Sequence, residues 1–272
     1  MLNLSDMPLL SLSEAACIVL ADPSPSSKIA LTNEIASAWQ SGQLTKVGYA
    51  TPPDRPARPT KPELLRPQDM PKRRAKAAKG RLALIHAIAH IELNAIDLAW
   101  DIVARFTMHD LPCKFYDDWV GVAVDEAHHF GLLEGYLFKH GALYGDLPAH
   151  DGLWQAAEDT AGDILARLAI VPLVLEARGL DATPPMIAKM HQVGDIQAAR
   201  ILETIAAEEV AHVAAGVHWF KYVCRCQKIK PVQTYQALVK KYFKGKLKPP
   251  FATAARDQAG LSADYYEPIA AR

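Results

Sequence analysis

The chain contains two copies of a spacing that suits metal binding, a glutamate followed three residues later by a histidine. Glu126 and His129 lie in the stretch VAVDEAHHFGLLEG, and Glu209 and His212 lie in AAEEVAHVAAG. Residues three apart share one face of a helix, so both side chains of a pair can reach the same ion. Each pair falls on the apolar side of its helical pattern, where a leucine would be expected. One such pair would carry little information, whereas two have to be explained together.

Two further glutamates, Glu92 and Glu176, each lie inside an apolar helical stripe. A lone carboxylate is costly to bury unless another group compensates its charge. Glu92 precedes Glu126 by 34 residues, and Glu176 precedes Glu209 by 33. The expected turn of each helical hairpin falls about halfway between its two glutamates. Each pair of glutamates is therefore expected at one level of its hairpin.

Two such hairpins stacked face to face would bring four carboxylates and two imidazoles together in the core. Without cations these carboxylates would repel each other and take up protons. Mixed carboxylate and imidazole ligands are typical of iron or manganese, whereas zinc usually takes fewer ligands in a compact tetrahedron. The alternative is a buried hydrogen-bond network without metal. The sequence predicts a site for two iron ions, with manganese as a possible substitute, and its expected ligands are Glu92, Glu126, His129, Glu176, Glu209 and His212.

Other polar residues near these positions favour different roles. Glu208 and His128 point off the central face and indicate surface or helix–helix contacts, and Asp125 is similar or accepts a hydrogen bond from a ligand histidine. His86 and His90, one turn apart, are expected to make a polar helix–helix or helix–arm contact, with another metal site as the alternative.

The elements that must position these residues are helices, because apolar residues recur at helical spacing and no alternating strand pattern appears. Helices are expected at about 81–107, 115–140 and 195–224, with a longer one from 153–157 to about 192 that breaks at RGLDATPP. Shorter helices are expected within 11–43 and at 231–243. The predicted fold class is an all-α, ferritin-like four-helix bundle with an extended N-terminal arm and a C-terminal appendage.

Three regions are expected along the chain. Residues 1–80 form an N-terminal helical segment followed by an arm rich in proline and basic residues, which is either a linker or laid over the bundle. Residues 81–226 form the bundle, and residues 227–272 form a basic appendage. Between Val210 and Arg256 there are 10 Lys/Arg and no acidic residue, which indicates a solvated surface or a docking surface for an anionic partner.

The cysteine pattern and the hydropathy of the chain indicate where in the cell the protein is expected. Cys17, Cys113, Cys224 and Cys226 follow neither redox nor zinc-ribbon spacing, so buried free thiols in the cytoplasm are expected. No apolar run approaches the length of a transmembrane helix. Nothing matches a flavin or nicotinamide motif, so electrons for redox chemistry would come from an external donor.

Several stretches together resemble an uncharacterised bacterial branch of the ferritin-like, di-iron carboxylate superfamily, a domain of unknown function. They include LIHAIAHIELNAIDLAWD, FYDDWVGVAVDEAHHFGLLEGYL, LARLAIVPLVLEARGLDATPPMI, EEVAHVAAGVHWF and KPPFATAARDQAGLSADYYEP, so the resemblance covers nearly the whole chain. It implies a four-helix bundle with a dinuclear, iron-containing centre on the six ligands above. Glu208 stands where relatives commonly carry aspartate, with little consequence expected for a residue outside the ligand set.

Three functions remain open from the sequence. The leading one is an O₂-dependent oxidoreductase that hydroxylates or oxidises an unknown substrate. The second is a ferroxidase or iron-binding protein, although about 80 residues before the bundle and 45 after it exceed what a storage shell needs, and at most a small homo-oligomer is expected. The third is a tRNA-modifying hydroxylase, for which the basic segments PKRRAKAAKGR and KYFKGKLK would contact RNA phosphates.

Overall fold

The computed structural model describes residues 10–66, 69–71 and 78–271. The prediction of an all-α protein is confirmed for these residues, in which the single extended pairing is an isolated bridge between Leu64 and Ala149. The chain divides into two compact units, one ending at Trp154 and the other comprising Gln155–Arg272. The expected borders at residues 80 and 226 remain a prediction.

The first unit is built on a hairpin of two long helices. Helices α3 and α4 pack against each other, α1 packs on α3, and α2 packs on α4. Ser11 and Glu14 form a reciprocal capping box at the start of α1, and Ser24 caps α2, which has Pro25 at its first position. The bounds of these helices are α1 Leu12–Ala21, α2 Pro25–Gln40, α3 Ala78–Arg105 and α4 Cys113–Lys139.

The described part of the proline-rich arm contacts α1, α3 and Trp154. The backbone N–H of Ala57 donates to Leu20 O, and the Trp154 indole donates to Asp54 O. Arg58 reaches Asp97 of α3 at 2.7 Å. Of the basic segment PKRRAKAAKGR, residues 72–77 lie outside the described residues.

Part of the polar face of α3 is buried against side chains of the arm and of α2. Asp97 is fully buried and also binds the equally buried Lys28, with Nζ 2.6 Å from the carboxylate. Asp101, fully buried as well, is held by Arg105 of the same helix at 2.7 Å. Burying two carboxylates is tolerable here because each has a cationic partner at hydrogen-bond distance.

The second unit contains the other long hairpin. Helix α8 packs on α6, on α7 and on the π-helical segment that joins them, and α9 packs on α6. The bounds are α5 Gly152–Asp159, whose first three residues belong to the first unit, α6 Ile164–Ile170, the π-helical segment Val171–Glu176, α7 Ala177–Gln192, α8 Ile196–Cys226, α9 Pro231–Tyr242, α10 Thr253–Gln258 and α11 Ala263–Tyr266.

The expected position of the break in the third long helix was wrong. The helix is interrupted before Asp163, whose side chain accepts hydrogen bonds from the N–H groups of Leu165 and Ala166 and so starts a new helix at Ile164. The stretch RGLDATPP instead continues as helix, with Pro184 and Pro185 inside α7. Packing of α7 along α8 outweighs the hydrogen bonds that the two prolines cannot make.

One helix of the described residues, 79–105, is long and apolar enough to cross a membrane by length and composition. Its apolar window is 78% buried inside the protein, as is usual for a core helix. The described part of the chain thus shows no clear membrane span.

The four cysteines are free thiols, but only one of them is buried. Cys224 is buried and Cys17 is half-buried, whereas Cys113 and Cys226 are exposed, contrary to expectation. The two exposed cysteines are the first residue of α4 and the last residue of α8.

Candidate metal centre

Three of the six predicted ligands meet in the core of the first unit. Glu92 of α3 and Glu126 and His129 of α4 are 4%, 0% and 0% exposed. His129 Nδ1 lies 3.3 Å from Glu92 Oε2 and 3.4 Å from Glu126 Oε2. One ligand atom from each of the three residues lies within 4.8 Å of the others, a spacing that can hold a metal ion. The prediction that Glu92 and Glu126 arrive at one level of their hairpin is confirmed.

The sequence around these residues explains why they point inward. Glu126 and His129 are three apart and so share the face of α4 that carries Phe130 and Leu133, both fully buried. On α3, Glu92 is followed one turn later by the fully buried Ile96. Both helices thus turn their most apolar faces toward each other and bury two carboxylates and an imidazole along with them.

The electrostatics of this group favour a positive charge at its centre. Burial opposes protonation of His129, but the hydrogen bonds and negative charges of Glu126 and Glu92 outweigh it and raise the pKa of His129 to about 11. At neutral pH the imidazole is therefore a cation held between two buried carboxylates. A metal ion would replace that proton with a larger charge.

The second unit carries a matching pair. Glu209 and His212 of α8 are 5% and 2% exposed, and His212 Nδ1 lies 3.6 Å from Glu209 Oε2. Glu176 is half-buried and is the last residue of the π-helical segment. Single π-helical turns inside α-helices are frequent at functional sites. Apolar periodicity has no signal for this segment, although the proline at position 172 is a clue to a disturbed helix.

His86 and His90 make polar contacts with the loop after α4, whereas contacts with another helix or with the arm were expected. The N–H of Gly145 donates to His86 Nε2 at 2.9 Å, and His90 Nδ1 lies 2.7 Å from the Tyr144 hydroxyl. Burial lowers the pKa of His90 to about 3, and the positive charge of Arg58 adds to this effect. His90 is therefore neutral at physiological pH, and both imidazoles stabilise the packing of the loop on α3.

The residues expected to lie off the central face have the corresponding exposure. His128 is exposed, although it adjoins the buried His129, and Asp125 and Glu208 are half-buried. The sequence did not reveal the buried Lys28. Its position in SSKIALTNEI between apolar residues was the available signal.

The fold and this site define a class, an all-helical protein with a buried group of glutamates and histidine that can hold a metal ion. Residues 21–267 match the family described as "Protein of unknown function (DUF455)", and the chain belongs to that family. An "Uncharacterized protein" of Haemophilus influenzae is 42% identical over 213 residues, which cover 75% of this chain and 73% of that protein. No solved structure matches the chain.

Proposed function

We propose that this protein is a di-iron carboxylate oxidoreductase, or one with iron and manganese, which uses O₂ to hydroxylate or oxidise a substrate. The observation that carries the proposal is the buried group of Glu92, Glu126 and His129. Each half of the proposed site has the same composition, two glutamates and one histidine, and the ligands of the second half are Glu176, Glu209 and His212.

The proposal includes the packing of the two hairpins as a ferritin-like four-helix bundle. One hairpin consists of α3 and α4, and the other of α8 with the helix formed by α6, the π-helical segment and α7. A glutamate from each of two helices plus Glu-x-x-His from each of two others is the ligand pattern of ferritin-like dimetal proteins. The nearly equal spacing of the glutamates within the two hairpins, 34 and 33 residues, supports this arrangement.

The residues present fit a pair of iron ions. Four carboxylates and two imidazoles provide hard and intermediate donors, which suit iron and manganese. The carboxylates of the first group lie in a core with almost no solvent exposure, where a bound cation offsets the cost of burying their negative charge. Six protein ligands for two ions leave coordination positions for O₂.

The side chains of this chain have defined tasks in the proposed reaction. Glu92 and Glu126 hold the cations and neutralise them, and His129 must release its proton when a cation arrives. Fully buried apolar neighbours, Phe130 and Leu133, exclude water from the reacting atoms. Bound in reduced form, the two ions supply the redox chemistry that activates O₂.

The overall reaction requires an electron donor. In a hydroxylation, O₂ takes two electrons from a substrate C–H bond and two from an external reductant, with two protons. One oxygen atom enters the substrate, and the other leaves as water. We infer a separate reductase protein as the donor, because no flavin or nicotinamide motif was recognised in the sequence.

Oxygen uptake by protein loaded with Fe(II) under anaerobic conditions tests this function. We expect uptake in proportion to protein when an artificial reductant is supplied, and we expect the iron to remain bound after a desalting column. Glu126→Gln should abolish uptake, whereas Asp125→Asn, which changes the half-buried neighbour in the same way, should not. Uptake no faster than that of free Fe(II) would refute the proposal, and loss of the iron after one oxidation would favour a ferroxidase.

A further inference from the structure

The π-helical segment contains Pro172, which interrupts α-helical hydrogen bonding, and it ends at Glu176. Pro172 has no N–H and cannot make the bond that an α-helix requires at its position. The N–H of Ala177 bonds to Pro172 O and Val174 O, whereas an α-helical register would direct it to Leu173 O. The register is therefore displaced immediately before Glu176. One residue advances a helix by about 100°, so the register determines where the Glu176 side chain points.

Tyr235 of α9 forms a hydrogen bond with the carbonyl oxygen of Leu173. In the π-helical segment the N–H of Ala177 does not bond to this oxygen. The Tyr235 hydroxyl donates to Leu173 O at 3.2 Å, and the side chain is fully buried. Burial raises the pKa of Tyr235, which keeps the hydroxyl protonated as a donor. In the α-helical register Leu173 O would accept from the N–H of Ala177, and in the π-helical register the Tyr235 hydroxyl supplies this oxygen with a donor instead.

Arg256 of α10 binds the main chain at Ala177, the residue directly after Glu176. Its guanidinium donates to Ala177 O at 3.1 Å and binds both carboxylate oxygens of Asp181, at 2.9 and 2.6 Å. The same guanidinium lies over the rings of Phe251 and Tyr266, 5.0 and 4.5 Å from their centroids. Arg256 is 1% exposed, so these are strong contacts in a dry setting.

We propose that Tyr235 and Arg256 are positioning residues, and that the C-terminal segment carrying α9 and α10 is a clamp that holds the π-helical register and thereby the direction of Glu176. The clamp bonds to the main chain on both sides of this residue, at Leu173 and at Ala177. The inference rests on the proposed role of Glu176 as a metal ligand. According to this inference, residues 227–272 contribute to the metal site and are more than a basic surface.

The test compares two buried tyrosines of the same unit. Tyr235→Phe removes the hydroxyl that bonds to Leu173 O. Tyr266→Phe is the matched control, because the Tyr266 hydroxyl has no hydrogen-bond partner among the described residues and its ring over Arg256 is kept. Hydrogen–deuterium exchange of peptides covering 171–177 is measured in metal-free protein. We expect exchange about fivefold to tenfold faster in Tyr235→Phe and unchanged in the control.

A second measurement links the clamp to the site. Anaerobic Fe(II) titration of the same variants should show weaker binding or a lost ion in Tyr235→Phe and wild-type binding in Tyr266→Phe. Arg256→Lys, which keeps the charge but cannot make the bidentate contact, should resemble Tyr235→Phe. Equal exchange in the two tyrosine variants, or faster exchange with unaltered Fe(II) binding, would overturn the proposal. If wild-type protein binds no iron, the proposed function fails, while the exchange result still decides whether the clamp exists.

Discussion

His129 lies between two buried carboxylates, and this position determines how the group responds to pH. Without metal, its pKa of about 11 lies above the ordinary value of 6.5. The imidazolium therefore stabilises the metal-free fold fully below pH 6.5, and this stabilisation is lost as the pH rises through 11.

Metal binding should depend on pH in the opposite direction. A cation has to displace the proton of His129, so affinity for Fe(II) should rise by up to about tenfold for each pH unit between pH 6 and 8. Competition titrations at several pH values, with proton release followed in weak buffer, measure this dependence. An affinity that does not change with pH, without proton release, would contradict the assignment of His129 as a ligand.

Two adjacent histidines provide a matched pair of variants. His129 is fully buried, and His128 is exposed on the other side of the same helix turn. We expect His129→Gln to lower Fe(II) binding by at least one ion per chain, because it removes a donor from the group. His128→Gln should bind iron as the wild type does, as measured by metal analysis after desalting. Equal losses in both variants would indicate general damage to α4 rather than the loss of a ligand.

For single residues, the sequence predicted the relations between side chains that lie within one helical turn or one hairpin. The Glu-x-x-His spacing required only helical periodicity, and the common level of Glu92 and Glu126 required only a turn midway between them. The contacts of Asp97 with Lys28 and with Arg58 of the arm could not be foreseen, because they join residues 69 and 39 apart along the chain, outside any periodic pattern.

Among the elements, α2 and α3 are joined by the buried pair of Lys28 and Asp97. Burial lowers the pKa of Lys28, and the negative charge of Asp97 opposes this shift. Asp97→Asn would leave a buried cation without its counter-charge, and we expect the free energy of unfolding to fall by about 3 kcal/mol. Urea unfolding measures the change.

An exposed pair serves as the control for that experiment. Lys114 and Asp118 of α4 form an ion pair in which the lysine side chain is 69% exposed. Asp118→Asn should change the free energy of unfolding by less than about 1 kcal/mol, because solvent screens the interaction. Similar losses in the two variants would mean that the contact between α2 and α3 does not depend on the buried charge.

The packing of α8 against the π-helical segment depends on a glycine. A Cβ at Gly216 would lie 2.3 Å from Pro172 Cβ, so Gly216→Ala forces the two elements apart. We expect a destabilisation of about 1–3 kcal/mol in thermal or urea unfolding.

Gly131 of α4 is the corresponding control. It is exposed, and an added Cβ would meet nothing within 4 Å. Gly131→Ala should therefore stabilise the helix by about 0.5–1 kcal/mol. A neutral effect of Gly216→Ala would show that the π-helical segment yields easily at this contact.

Most helices could be predicted from periodicity, because apolar residues at helical spacing identify α3, α4, α8 and α9 to within a few residues. The third long helix could not. Prolines 184 and 185 suggested a break, but contacts with α8 keep this part helical, and the actual interruption depends on the cap that Asp163 provides. Local sequence does not reveal which of these influences prevails.

For the whole molecule, the oligomeric state distinguishes a catalytic function from iron storage. We expect a monomer or small homo-oligomer, because the arm and the C-terminal segment enlarge each chain well beyond a bare bundle. Light scattering with size-exclusion chromatography measures the mass. A particle of about 12 or 24 chains would favour iron storage over the proposed reaction.

The C-terminal segment has a basic surface that could bind an anionic partner. Lys241, Lys244, Lys246 and Lys248 are exposed. Phosphate contacts through these lysines would make RNA binding fall steeply with salt. Absence of RNA binding at low salt would exclude a tRNA substrate, and the lysines would then only solvate the surface.

A cytoplasmic location, consistent with two exposed free thiols, remains a prediction.

Counting metal ions is the most direct measurement of the central claim. Wild-type protein loaded anaerobically with Fe(II), desalted and analysed for iron and protein, should retain two ions per chain. Replacing Glu126 or Glu209 with glutamine should lower that number. Retention of no iron, or of iron that neither substitution reduces, would contradict a dimetal centre built from these side chains.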